Sequence, residues 1–194
     1  MTDLVFVLVG PFADPDRLSD WAHSELRRAP AVAFVGVDSG LVPLLDSSLP
    51  VTIAIGDFDG EGTNRALASI PGVPRIRLDR KKERSDLSFA LDFCSRGKAR
   101  SVYAFGFQGG RPDHDFAVHL DLSEASRKIP TVISIGEKGV VFYRSARFGR
   151  LRISAKDSER LRRAGAPKSR RRKPREVGSP KLAIRSGRNP VSCS

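Results

Sequence analysis

The sequence predicts an α/β fold: a mostly parallel sheet sandwiched by helices, with an irregular basic C-terminal tail in place of a second folded domain. Three observations predict it. Short β-rich runs alternate with helical patterns through residues 1–143. Those runs are apolar on both faces, as strands covered from both sides must be. Beyond Tyr143 the texture changes to an arginine-rich segment with little apolar periodicity.

The first strand is LVFVLVG (4–10). The N-terminus is apolar but short, carries Asp3 and lacks a basic lead, so it reads as this strand and not as a signal peptide. A helix is predicted over 14–29, where Leu18, Trp21, Ala22 and Leu26 share one face, with acids early and arginines late as the helix dipole favours. AVAFVGV (31–37) is the second strand and VTIAI (51–55) the third, with the short segment SGLVPLLDSS between them. A helix from Asn64 to Ser69 and the strand RIRL (75–78) follow. Ser85 is a suitable N-cap for the helix DLSFALDFCSR, whose apolar face is Leu87, Ala90, Leu91 and Cys94. SVYAF (101–105), a helix over 113–126 and TVISI (131–135) complete the alternation.

The net charge of +12 suggests a nucleic-acid protein until it is located. Residues 147–194 hold 16 basic residues against Asp157, Glu159 and Glu176, whereas residues 1–146 are close to neutral at −1. The body therefore gives no sign of a basic nucleic-acid face. The tail, with Phe148 as its one aromatic residue, supports non-specific, salt-dependent phosphate binding and no base-specific readout. Its composition predicts disorder, and the β-like fragments RLRIS and KLAIR are too weakly patterned to change that expectation. Two cysteines, Cys94 and Cys193, make neither a disulfide framework nor a metal-site spacing, so a cytoplasmic location is expected. No run approaches the ~18 apolar residues needed to cross a membrane, and no membrane partner is expected.

The chemistry is expected where strands end. Asp38 follows the second strand, Asp57 and Asp59 the third, and Asp86 follows Ser85 at a helix start. Residues two apart on an extended chain point the same way, so Asp57 and Asp59 aim into one crevice if extended geometry persists through Phe58, which then turns back to the core. Like-charged carboxylates held together call for a cation, and Mg²⁺ takes carboxylate oxygens plus substrate phosphates. Taken alone, Asp57-Phe58-Asp59-Gly60 reads equally well as a turn. Three neighbouring features favour a site. Ser39 and Gly40 form a small-residue turn that admits a phosphate to the backbone. Lys81, Lys82 and Arg84 precede Asp86. GFQGGRPDHD (106–115) joins a glycine pair to Arg111, a residue suited to bidentate phosphate binding. Asp113 reads equally as the N-cap of its helix and as a ligand. His114 and His119 have no obvious metal partner and read as hydrogen-bonded structural residues, and His23 as a helix-face residue.

VDSG, IAIGDFDG, KKERSDLSFAL and GFQGGRPDH, in this order, resemble the catalytic domain of thiamine pyrophosphokinase over roughly residues 4–135. That resemblance implies transfer of a pyrophosphoryl group from ATP to the hydroxyl of thiamine, with ATP and thiamine as partners and a homodimer as the assembly. It implies Asp57, Asp59 and Asp86 as catalytic residues and, with Asp38, as holders of Mg²⁺ and the polyphosphate. It further implies a nucleotide site made by Asp38, Ser39, Gly40, Lys82, Ser85, Gly109, Gly110, Arg111, Asp113 and His114. Residues 1–143 would be the nucleotide-binding catalytic domain, and 144–194 a degenerate remnant of a thiamine-binding β domain. Departures from the family pattern are Ser39 for a glycine, Gly60 for a serine, Glu83 for an aspartate, Ser85 for a threonine, and no asparagine in FAVHLDL. Two other readings stand beside this one. A haloacid-dehalogenase-like phosphatase would use Asp57 as nucleophile and Asp59 as acid/base, but two strands precede the motif and no later GDxxxD pair is present. The other is an inactive nucleotide-binding protein with a nucleic-acid-binding tail.

Overall fold

The computed structural model describes residues 4–27, 29, 31–137 and 139–149. The expectations for residues 150–194, including both β-like fragments, lie outside the described residues.

Among the described residues seven strands form one sheet: β1 (Leu4–Val9), β2 (Ala31–Val37), β3 (Ile53–Gly56), β4 (Arg75–Arg77), β5 (Ser101–Phe105), β6 (Thr131–Gly136) and β7 (Gly139–Tyr143). Their order is β4-β3-β2-β1-β5-β6-β7. All neighbours pair in parallel except β6 with β7, which are antiparallel. Five helices, α1 (Pro15–Glu25), α2 (Leu41–Asp46), α3 (Glu61–Ser69), α4 (Asp86–Arg96) and α5 (Pro112–Ala125), cover the two faces.

The two-residue period of the strands sorts their side chains into two cores. Phe6, Leu8, Val35, Val102 and Val132 pack on one face with Leu87, Leu91 and Cys94 of α4 and Leu122 of α5. Val7, Val9, Phe34, Phe105 and Ile133 pack on the other with Leu18 and Trp21 of α1 and Leu44 of α2. Several of these side chains have no exposed surface, and each such Leu or Val contributes about 1.5–3 kcal/mol. Cys94 is a free, buried thiol that burial holds above its ordinary pKa, so it serves as a small core residue.

The structure departs from the sequence expectations at several element ends. SGLVPLLDSS forms a 3-10 turn over Asp38–Gly40 that runs into α2. Pro43 sits in its first turn, where no backbone donor is required, so the proline does not break it. α3 begins at Glu61 rather than Asn64, because extended Gly60 ends the preceding loop and Glu61 brings a favourable charge to the first turn. α5 begins at Pro112 with Arg111 as the preceding extended residue, so Asp113 is a first-turn residue and not the N-cap. β7 follows the turn after β6 and was not legible as a separate strand. The described chain also continues past Tyr143 in contact with the body: Arg144 donates to the Pro130 carbonyl at 3.0 Å, and Arg147 to that of Arg127 at 2.9 Å.

Candidate active site

Parallel neighbours β2 and β3 end side by side, which brings the loop beginning at Asp38 against the one beginning at Asp57. The approach is close enough that a Cβ on Gly56 would stand 2.8 Å from the Asp38 Cα. The Phe58 amide donates to Asp38 Oδ1 at 3.2 Å, and the Asp59 amide to Asp57 Oδ1 at 3.2 Å. Asp38 and Phe58 both occupy the left-handed region, with φ of 47° and 55°. Such a conformation costs a non-glycine residue about 1–2 kcal/mol and persists only where its surroundings impose it.

α4 delivers the third acid. Ser85 Oγ accepts from the Ser88 amide at 3.0 Å, so Ser85 caps the helix, and its hydroxyl donates to Asp121 of α5 at 2.5 Å. Asp86 follows the cap. Its Oδ1 is buried without an aligned hydrogen bond and lies 2.9 Å from the Lys82 ammonium, which also stands 3.6 Å from Asp57 Oδ2. These three side chains are only 12–23% exposed, so their attraction is screened less than that of an open surface pair. Burial pushes the Asp86 carboxyl above its ordinary 3.8; Lys82 pulls it back, and repulsion from Asp38 and Asp57 adds to the rise. Burial alone lowers the Lys82 ammonium, but Asp86 and Asp57 outweigh it and hold the group above its ordinary 10.5. The Lys82 shift reflects the two acids that face it, and the Asp86 shift chiefly its burial.

Asp59 does not share Lys82. The left-handed turn at Phe58 breaks the extended alternation, and Asp59 pairs with Arg80 at 2.8 Å, 43% exposed. Phe58 itself is buried beside Leu41, Ala54 and Leu67, as expected. Ser39 is exposed, whereas Gly40 is buried: a Cβ there would fall 2.0 Å from the Val9 carbonyl oxygen, so the bare Cα admits β1. Arg77 and Arg80 were missed by the sequence reading. Their signal was the spacing of basic residues along β4 and beyond it, and the register that pairs Arg77 with Gly56 gives it meaning.

Beyond β5 and β6 the glycine-rich motif forms a second region of the same edge. Arg111 pairs with Asp113, and both side chains are well exposed at 83% and 64%; His114 is exposed beside them. The arginine holds the Asp113 carboxyl below its ordinary value. Gly109 donates its amide to Asp115 at 3.1 Å, and Gly110 lies against the Phe12 ring. A cavity of about 320 Å³ opens here between Gln108, Asp115, His119, Glu137 and Val140. The Gln108 amide donates to His119 Nε2 at 3.0 Å, leaving the ring proton on Nδ1, which donates to the Tyr143 hydroxyl oxygen. His119 is thus hydrogen-bonded at both nitrogens. His23 donates from Nδ1 to the Ser19 carbonyl on the exposed face of α1.

Among the described residues no three His, Cys, Asp or Glu side chains are gathered tightly enough to hold a metal ion as they stand. The donor chemistry nevertheless fits a hard divalent cation. Asp38, Asp57 and Asp86 offer carboxylate oxygens, and the Lys82 ammonium already serves as a cation between two of them.

Fold and site together define a mostly parallel α/β domain with an acidic centre at the strand ends, where such folds bind ligands. In sequence it is similar to the thiamine pyrophosphokinase of Bacillus subtilis, 33% identical over 82 residues that make up 42% of this chain and 38% of that protein. In structure it is similar to the crystal structure of thiamine pyrophosphokinase from Bacillus subtilis, with a TM-score of 0.55 and 24% identity over 68% of this chain and 60% of that one. It is also similar to the thiamin pyrophosphokinase of Geobacillus thermodenitrificans, with a TM-score of 0.52 and 26% identity over 68% and 58% of the two chains. No protein-family model matches the chain. The chain spans about three fifths of the length of these two structures and less of the curated relative. The resemblance drawn from the four motifs stands: the described residues form a domain similar to the one these thiamine pyrophosphokinases contain.

Proposed function

We propose that this domain transfers a pyrophosphoryl group from ATP to the hydroxyl of thiamine, giving thiamine diphosphate and AMP, in the cytoplasm. The observation that carries the reading is the convergence of Asp57 and Asp86 on Lys82, beside Asp38. The substrate hydroxyl oxygen attacks the β-phosphorus and gives up its proton to solvent, the bond from that phosphorus to the α,β-bridging oxygen breaks, and AMP leaves. Such a reaction requires positioning and charge stabilisation rather than a protein nucleophile. Asp38, Asp57 and Asp86 would hold Mg²⁺, with Asp59 at the margin. When bound, the ion supplies charge neutralisation at the transferred phosphates. Lys82 turns from the carboxylates to the phosphates as charge is redistributed. Arg111, exposed at the other region of the edge, exchanges Asp113 for a phosphate oxygen. Ser39, Gly40, Gly109, Gly110 and His114 would belong to the nucleotide site, and Ser85 fixes the start of α4. A homodimer belongs to the same proposal, and sedimentation velocity tests it.

The test is incubation with ATP, Mg²⁺ and thiamine, followed by separation of AMP and thiamine diphosphate. Their formation, lost in Asp57→Asn and Asp86→Asn, supports the reading. Full activity in both variants refutes the metal assignment. Orthophosphate released from a monoester without ATP points to a phosphatase, and ATP binding without turnover to an inactive nucleotide-binding domain.

A further inference from the structure

The turn that presents Asp57 is held against its backbone preference. Phe58 has a φ of 55°, a conformation that a bulky aromatic seldom keeps without restraint. From inside, its ring is packed with Leu41, Ala54 and Leu67, and its amide is bonded to Asp38. From outside, the restraint is one side chain of the edge strand β4. Arg77 Nη1 donates to the Asp57 carbonyl at 2.9 Å, and the same guanidinium lies 5.4 Å from the centre of the Phe58 ring, within cation–π range. The parallel register that sets Arg77 beside Gly56 puts it there, and the Leu78 amide, bonded to the Gly56 carbonyl at 2.8 Å, continues that pairing. A guanidinium suits both tasks: one N–H reaches the carbonyl while the charged group stands within range of the ring.

We propose that Arg77 is a positioning residue that clamps the left-handed Asp57–Phe58–Asp59 turn and so directs the Asp57 carboxylate at Lys82 and Asp86. The functional half of this inference rests on the reading of Asp57 as a ligand for metal-bound nucleotide. Its test uses the full chain with Arg77→Met, which keeps an apolar stem over the ring without donors, and Arg77→Lys, which keeps the charge without the planar fork.

Two readouts apply: amide hydrogen exchange without ligand, and Mg·ATP binding by calorimetry. In Arg77→Met the Phe58 and Asp59 amides exchange about tenfold faster while the β1 amides are unchanged, as local loosening requires. Mg·ATP binds about tenfold more weakly, the scale of one lost charge-assisted hydrogen bond. Arg77→Lys remains impaired in both. Unchanged exchange at Phe58 and Asp59 in Arg77→Met overturns the clamp. Full recovery of binding by Arg77→Lys also overturns it, since charge alone would then suffice. Wild-type Mg·ATP affinity in Asp57→Asn defeats the nucleotide reading instead, and the exchange measurement still decides the role of Arg77.

Discussion

At the β2–β3 end of the carboxyl edge, a methyl group on Gly56 would stand 2.8 Å from the backbone of Asp38; at the β5–β6 end, one on Gly110 would meet the outer atoms of the Phe12 ring at 2.9 Å. The distances are nearly equal but their consequences differ, because backbone does not yield and a half-exposed ring does. The charges follow the same division. Lys82, Asp57 and Asp86 are largely shielded and held together as one cluster, whereas Arg111 and Asp113 neutralise each other in open solvent. The first region is a preformed acidic cluster with two left-handed residues in its loops. The second is a set of adaptable side chains around a cavity. Pre-organisation matters most where charge must be stabilised without reorganisation, so the first region should dominate the chemistry and the second should tune binding.

The contrast breaks most sharply in kinetics. Asp57→Asn or Asp86→Asn should lower kcat by about 10²–10³, the scale of a lost preorganised electrostatic group, whereas Arg111→Ala should mainly raise KM for Mg·ATP. Steady-state assays decide it, and equal losses of kcat in all three variants would erase the distinction. Stability is the next measure. Gly56→Ala should cost about 2–3 kcal/mol through backbone overpacking, and Gly110→Ala no more than about 0.5, both read from urea denaturation.

A smaller effect probes the cavity. Burial raises the Tyr143 hydroxyl to about 12, so it stays protonated throughout the neutral range. Tyr143→Phe removes the acceptor for His119 Nδ1 and should cost about 1 kcal/mol at neutral pH.

The smallest effect lies between the helices. Asp92 accepts from Arg84 and Lys128, which together outweigh its burial and lower its pKa below 3.8. A lowered folded-state pKa adds stability above the unfolded value, and that stability is lost as pH falls through the folded one. Asp92→Asn should therefore cost about 0.5–1 kcal/mol near neutrality and nothing in strong acid, as pH-dependent thermal melts can show.

Much of the acidic centre was legible because its residue types occur at strand ends. VDSG, GDFDG and the Ser85–Asp86 helix start each stand at the boundary of a periodic segment, and each boundary falls within a few residues of its place in the structure. The short helix α2 was harder to read, since its glycine and proline resemble a turn until the fold supplies a partner for Leu41 and Leu44. The placement of Asp59 was not legible at all. Alternation along an extended chain puts it beside Asp57, and the left-handed Phe58 sends it to Arg80. Asp121, the acceptor for the Ser85 hydroxyl, is 36 residues from its partner in the chain, and no local pattern announces that bond.

By itself the amino-acid sequence determined the alternation of β1 to β6 with α1, α3, α4 and α5, the apolar faces of α1 and α4, and the supply of acids and cations at the strand ends. Those properties follow from periods of two and 3.6 residues and from local backbone chemistry. Only the tertiary structure decided which acid meets which cation. The sheet order sets β3 between β2 and β4, so Asp38 lies against Asp57 and Arg77 against the Phe58 ring. That order arises from long crossovers between parallel strands and from the packing of whole helices on the sheet, contacts between distant parts of the chain that no single segment encodes.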